Sequence, residues 1–198
     1  NAAVIVDFGA RCRGIGAVDA QERSCWVEPG VVLDQLNAHL APMGLMFAPD
    51  PATASHNCIA GMIGNNSAGA RSLKYGRTVE NLLALDVVLA DGTEHRLEEG
   101  ACERDPAQRA LAQGLAEILR PIEAQVRAKF PRILRHVDGY NFDLFLDQLA
   151  RSTPGTFDRV NLAHLVCGSE GTLATIVRAK LRLVPTPKAK GLAIMGFA

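Results

Sequence analysis

Residues 49–76 read PDPATASHNCIAGMIGNNSAGARSLKYG, and a second glycine-rich stretch, GSEGTLA, spans residues 168–174. The first carries Gly61, Gly64, Gly69 and Gly76, with Asn65, Asn66 and Ser67 among them. Glycine admits positive φ and lacks the Cβ that holds a ligand off the main chain, so a backbone-exposing loop of this kind can converge its N–H groups on an anion. The same residue types also build ordinary turns. Context favours the ligand reading: an apolar Cys58-Ile59-Ala60 run enters the stretch, a strand-like Leu82 to Ala90 follows it, and the second glycine-rich turn answers it downstream. A diphosphate is the natural guest.

Composition bounds the rest. The chain has 198 residues, 48% apolar and 21% charged, which suits one folded domain with a substantial core. Lys plus Arg equals Asp plus Glu at 21 each, so no global basic field recruits nucleic acid or anionic lipid. No apolar run approaches the roughly 20 residues that span a bilayer, and the expected location is cytoplasmic. The cysteines, Cys12, Cys25, Cys58, Cys102 and Cys167, are odd in number and form no C-x-x-C pair, which argues against zinc or a disulfide framework and for reduced thiols. No metal site is expected.

Along the chain, AVIVDF at residues 3–8 reads as a buried strand already inside a fold. Gly14-Ile15-Gly16 is not a dinucleotide fingerprint: position 19, where a third glycine would stand, is Asp19, and two short apolar runs around DAQE suit an antiparallel hairpin. Pro29-Gly30 opens a helix with Leu33, Leu36 and Leu40 at core spacing, stopped by Gly44. Asp91-Gly92 turns a hairpin, with a return strand over Thr93 to Leu97. Asp105-Pro106 caps a helix whose Leu111, Leu115, Ile118 and Leu119 form an apolar face, ended or kinked at Pro121, with a second helical stretch toward Phe130. Leu144, Phe145 and Leu149 point inward from a short helix after Gly139-Tyr140-Asn141. From Val177 to Leu183 alternation is strict, with Val177, Ala179, Leu181 and Leu183 on one face and Arg178, Lys180 and Arg182 on the other.

CIAGMIGNNSAG, KYG, NLLALDVVLADG and HLVCGSEGTLATIVRAKLRLVPTP, in that order, resemble the FAD-binding domain of the vanillyl-alcohol oxidase and p-cresol methylhydroxylase (PCMH-type) superfamily. Within it the likeness is to FAD-linked 2-hydroxyacid dehydrogenases of the glycolate oxidase and D-2-hydroxyglutarate dehydrogenase group. The resemblance implies an α+β fold: a two-lobed domain with a mixed or antiparallel sheet and flanking helices. It implies that residues 1–187 are an FAD-binding domain without its N-terminal pyrophosphate-loop lobe, and that residues 188–198, with the strand-like GLAIMGFA, begin a substrate or cap domain. The implied chemistry is oxidation of a D-2-hydroxy acid by hydride transfer to FAD, with an electron acceptor as further partner.

Carried over residue by residue, the resemblance assigns Pro51, Ala52, Thr53, Ala54, Ser55, His56 and Asn57, together with Gly61, Gly64, Asn65, Asn66 and Ser67, to contacts along the FAD. Gly168, Ser169, Glu170, Gly171, Thr172, Leu173 and Ala174 complete the pocket. Ala60 stands where many relatives have glycine, which is tolerable at negative φ. Glu170 suits backbone donors or a ribose hydroxyl better than a phosphate. None of His39, His56, His95, His136 and His164 is assigned as catalytic base, because in the resembling dehydrogenases base, metal and carboxylate clamp belong to the cap domain. A sugar oxidase, a cell-wall precursor reductase and a fragment that holds no flavin remain as alternatives.

Overall fold

The computed structural model describes residues 5–137, 139–189, 191 and 194–196. Strands β1 (Ile15–Asp19) and β2 (Ser24–Val27) form the expected hairpin. Its turn is held by Asp19 Oδ1, which accepts from the N–H groups of Gln21 and Glu22 at 2.9 and 2.8 Å. The remaining strands are β3 (Leu45–Met46), β4 (Leu82–Val88), β5 (Glu94–Glu98), β6 (Thr175–Arg182) and β7 (Val184–Pro185). One five-stranded sheet runs in the order β1-β2-β6-β4-β5 and every pair in it is antiparallel, while β3 and β7 pair separately. This is the mixed helix and antiparallel-sheet architecture that the sequence implied.

The helices are α1 (Leu33–Leu40), α2 (Ile59–Gly64), α3 (Ser72–Tyr75), α4 (Ala101–Arg104), α5 (Pro106–Leu119), α6 (Glu123–Lys129), α7 (Phe142–Arg151) and α8 (Ala163–Val166). On the inner sheet face, Cys25, Val27, Leu85, Val87, Leu97, Ala179 and Leu181 join one buried cluster with Leu33, Leu36 and Leu40 of α1 and Ile59, Met62 and Ile63 of α2. On the other face the Trp26 ring lies between Arg96 at 4.8 Å and Arg178 at 5.2 Å, and both guanidiniums reach Asp86. Asp105 caps α5 as expected, accepting from the Ala107 and Gln108 N–H groups.

Several local expectations are corrected. Ile5 to Phe8 form no strand, and Ile5 is 93% exposed; Ala3 and Val4 lie outside the described residues. Much of the GLAIMGFA run also falls outside them. Pro29-Gly30 makes a turn, and α1 begins only at Leu33. On α5 the buried positions are Gln108, Ala112, Ala116 and Leu119, while Leu111 and Ile118 are 49% and 67% exposed. Small alanines let that helix approach the core closely, and the Gln108 Nε2 donates to the Arg96 carbonyl at 3.0 Å and to Asp105 Oδ2 at 2.9 Å, so its amide donors are satisfied there. On α7, Leu146 is buried beside Phe145, and Leu144 and Leu149 are only partly buried. The alternation of β6 breaks at Val177: Asp86 pairs with Arg178 but Val87 pairs with Ile176, so Val177 is the extra residue of a β-bulge and Ile176 faces the core.

His164 of α8 fixes that helix to β4. It is buried, Nε2 lies 2.9 Å from the Leu82 carbonyl, and Nδ1 lies 2.6 Å from Gln148 Nε2, an arrangement that assigns the proton to Nε2. Burial lowers its pKa below the ordinary imidazole value, outweighing the opposing pull of the Leu82 carbonyl, Glu80 and Glu99. A depressed folded-state pKa gives stability that is complete above about pH 6.5 and is lost as the pH falls through the lowered value. The melting temperature is therefore expected to drop as the pH falls below about 6.5, and His164→Gln to flatten that slope. An equal slope in variant and wild type assigns the acid lability to other groups.

Candidate functional site

The two glycine-rich stretches meet. The Gly168 N–H donates to the Ile63 carbonyl at 2.9 Å and the Glu170 N–H donates to the Gly64 carbonyl at 3.0 Å, so the GSEG turn is stitched to the C-terminal end of α2. The expected loop is partly this helix: Gly61 and Gly64 lie inside α2 and neither has positive φ. Ala60 is also helical, so its methyl group costs no backbone strain. Helix α2 buries Ile59, Met62 and Ile63 and leaves Ala60, Gly61 and Gly64 on its outer side, a ridge of small residues.

Glycine is obligatory at two points of this junction. A Cβ at Gly69 would stand 1.8 Å from the Asp50 carbonyl oxygen, because the chain folds back tightly onto the proline-rich entry. At Gly168 φ is +89°, and a Cβ would stand 2.6 Å from the Gly139 carbonyl oxygen. Asn66 adopts φ +46°, a conformation that asparagine tolerates better than most residues.

A cavity lies on each side of the ridge. One, of about 610 Å³, is lined by Pro51, Thr53, Asn57, Gly61, Asn65, Ser67 and Ala68, and by Arg135 and Val137 from the segment before α7. The other, of about 330 Å³, is lined by Ala60, Gly64, Ser169, Glu170, Gly171 and Ala174, with Phe8 and Ile176 among its apolar walls. Ser169 is 3% exposed, and its Oγ has no hydrogen-bond partner. Of the other sequence-nominated residues, Ala52, Ala54, Ser55 and His56 line neither cavity; Ser55 Oγ and His56 Nδ1 face each other at 2.8 Å on the exposed surface. Leu173 lines a separate apolar groove with Leu111, Leu115 and Leu165.

Asn66 and Gly168 hold the site together from beneath. Asn66 is wholly buried: its Oδ1 accepts from the Val79 N–H at 3.1 Å, and its Nδ2 donates to Asn141 Oδ1 at 3.3 Å. Asn141 stands at the start of α7 without a side-chain cap bond; its Nδ2 donates instead to the carbonyls of Cys167 and His164 at 2.6 and 2.9 Å. Tyr140 donates its hydroxyl to Thr172 Oγ1 at 2.8 Å, and Thr172 donates to the Ser169 carbonyl at 2.6 Å. Thr172 thus braces the turn from the side.

The segment carrying Arg135 was not legible as part of the site. It is pinned by Arg77, whose Nη1 donates to the His136 carbonyl. Arg77 is itself paired with Glu80 at 2.6 Å. Burial alone would raise the Glu80 pKa, but the hydrogen bonds and charge of Arg77 together outweigh it and hold the carboxyl below its usual range. Burial raises the pKa of Cys25 and of Cys102 to about 11, and that of Cys167 further, so these thiols stay protonated and play the part of small apolar residues.

Residues 1–98 match the family described as FAD binding domain. The chain is 35% identical over 205 residues to D-2-hydroxyglutarate dehydrogenase of Pantoea ananatis, covering 96% of this chain and 19% of that protein. It is 29% identical over 174 residues to glycolate oxidase subunit GlcD of Bacillus subtilis, covering 87% of this chain and 26% of the relative. Among solved structures, alkyldihydroxyacetonephosphate synthase superposes with a TM-score of 0.55 at 19% identity, over 90% of this chain and 22% of that one, a likeness of fold. The chain spans about a fifth of the length of the D-2-hydroxyglutarate dehydrogenases it matches.

Proposed function

The chain belongs to the FAD-binding domains of the PCMH type, and from that premise we propose that the protein carrying it oxidises a D-2-hydroxy acid of the lactate, glycolate or 2-hydroxyglutarate class. The observation that carries the reading is the junction itself: two stretches far apart in sequence share backbone hydrogen bonds at the end of α2 and expose small residues between two cavities. An elongated dinucleotide can lie across such a ridge only where no side chain stands up from it.

The residues present fit the cofactor. Ser169, whose buried Oγ has no partner among the described residues, lines the smaller cavity, and the Phe8 and Ile176 walls suit an adenine ring. Glu170, exposed on the same rim, accepts hydrogen bonds from hydroxyls and repels phosphate. Thr53, Asn57, Asn65 and Ser67 offer donors and acceptors to the flavin half in the larger cavity. When bound, FAD accepts the hydride from the substrate α-carbon. This chain's own residues position the flavin and close one side of it to water. The 2-hydroxy acid and an electron acceptor are the partners proposed for the whole protein, residues 188–198 are proposed as the start of its substrate domain, and the reduced cysteines favour a cytoplasmic location.

The test is to purify the full-length protein with FAD and supply D- and L-lactate, glycolate, D- and L-2-hydroxyglutarate and a sugar panel with a dye acceptor. Saturable bleaching selective for D-hydroxy acids is expected. Turnover of sugars alone, or a protein that takes up no flavin, overturns the reading.

A further inference from the structure

Many backbone N–H groups of the cleft are spent within the chain itself. The N–H groups of Asn65, Asn66 and Ser67 donate to the carbonyls of Gly61, Ile63 and Met62. Those of Gly168, Ser169, Glu170 and Thr172 donate to Ile63, Val166, Gly64 and Ser169. Along the proline-rich entry, the N–H groups of Ala54, His56 and Asn57 are likewise spent on Pro51 and Thr53 carbonyls. At these positions the turns build a shape rather than an open cradle of donors. A dianionic diphosphate, or a carboxylate, placed beside α2 gains from a charged side chain there.

Among the described residues one charged side chain lines the larger cavity, and it is Arg135. Its guanidinium stands over the NNSAG turn, with Nη1 at 3.5 Å from the Gly69 carbonyl, a long contact that leaves most of its five donors unspent. Among the described residues no carboxylate lies within salt-bridge distance of it, whereas Arg71 close by is neutralised by Asp50 at 3.1 Å. The segment that carries it is fixed at the next residue, where the His136 carbonyl is held by the buried Arg77. Planar, always charged and anchored at its base, Arg135 is suited to bidentate capture of an oxyanion.

We propose that Arg135 is an anion-binding residue of this cleft, receiving the diphosphate of the cofactor or the carboxylate of the hydroxy acid. The proposal rests on the reading of the cleft as the FAD site. The surrounding Thr53, Asn57, Asn65 and Ser67 are neutral, so Arg135 is the charge that an oxyanion of either source meets in this lining.

The experiment compares wild type, Arg135→Leu, Arg135→Gln and Arg135→Lys in the full-length protein, with melting curves to establish that each folds. FAD affinity is read by flavin fluorescence, and inorganic pyrophosphate and D-2-hydroxyglutarate are added separately in thermal-shift assays of flavin-free protein. If diphosphate is the guest, Leu and Gln raise the FAD Kd about tenfold, abolish the pyrophosphate shift, and Lys restores part of both. If carboxylate is the guest, FAD affinity holds, the KM for the hydroxy acid rises about tenfold with kcat kept, and the 2-hydroxyglutarate shift disappears. Leu and Gln variants that match wild type in FAD affinity, both shifts and KM overturn the proposal. Wild type that takes up no FAD overturns the functional reading instead, and the pyrophosphate arm still decides the role of Arg135.

Discussion

Gly64→Val is expected to abolish flavin retention while leaving the fold intact. Gly64 closes α2 with ordinary helical φ, and a Cβ built there meets nothing nearer than the Glu170 Cα at 3.8 Å, so the backbone accepts a side chain. Helix propensity slightly favours the replacement, since glycine is the poorest residue after proline inside a helix. The two γ-methyl groups, however, extend beyond the Cβ into the cavity of about 330 Å³ that Gly64 shares with Ser169, Glu170 and Gly171. That is the space proposed for the adenosine end. A well-packed ligand displaced by even this much forfeits its contacts with both rims, and overpacking costs about 1–3 kcal/mol before any hydrogen bond is lost. The FAD Kd is expected to rise about a hundredfold, close to 2.7 kcal/mol, with the melting temperature of the flavin-free protein within a few degrees of wild type. Stoichiometric FAD in the purified variant would show that the dinucleotide does not cross this ridge.

What the sequence disclosed and what it hid divide along a physical line. Features written in neighbouring residues were readable: the Asp19 hairpin, the Asp105 cap and the helix over Leu33, Leu36 and Leu40. Features decided by the fit of distant elements were not. The face that α5 buries depends on how close Ala112 and Ala116 let it come, and its leucines ended on an exposed groove. The bulge at Val177 arises from the register of β4 against β6, which periodicity within β6 cannot report. Arg135 belongs to the cleft because a segment distant in sequence is clipped over Gly69, and a lone arginine carries no local signal of that. Of the two things glycine offers in α2, positive φ and a missing Cβ, the helix uses only the second.

The second large effect is expected at Asn141. Its Nδ2 donates to the carbonyls of Cys167 and His164 at 2.6 and 2.9 Å, and its Oδ1 accepts from Asn66, which in turn holds the Val79 N–H. Asn141→Leu keeps the branched four-atom skeleton of the side chain but strands two carbonyls and one amide in a site where Asn141 is 4% and Asn66 0% exposed. Each buried polar group left without a partner costs about 1–3 kcal/mol, so a loss of about 3–5 kcal/mol is expected, a large share of the roughly 5–15 kcal/mol that holds a domain folded. Because Cys167 leads directly into Gly168, the GSEG turn loses its brace, and flavin affinity should fall with stability. Asn65→Ala provides the contrast: Asn65 is exposed at the C-terminal end of α2, and its removal should change stability by less than about 0.5 kcal/mol. Denaturant melts of both variants decide it. If Asn141→Leu unfolds within about 1 kcal/mol of wild type and keeps its flavin, the two stretches are held together by their backbone bonds and by packing, and the buried amide pair is incidental.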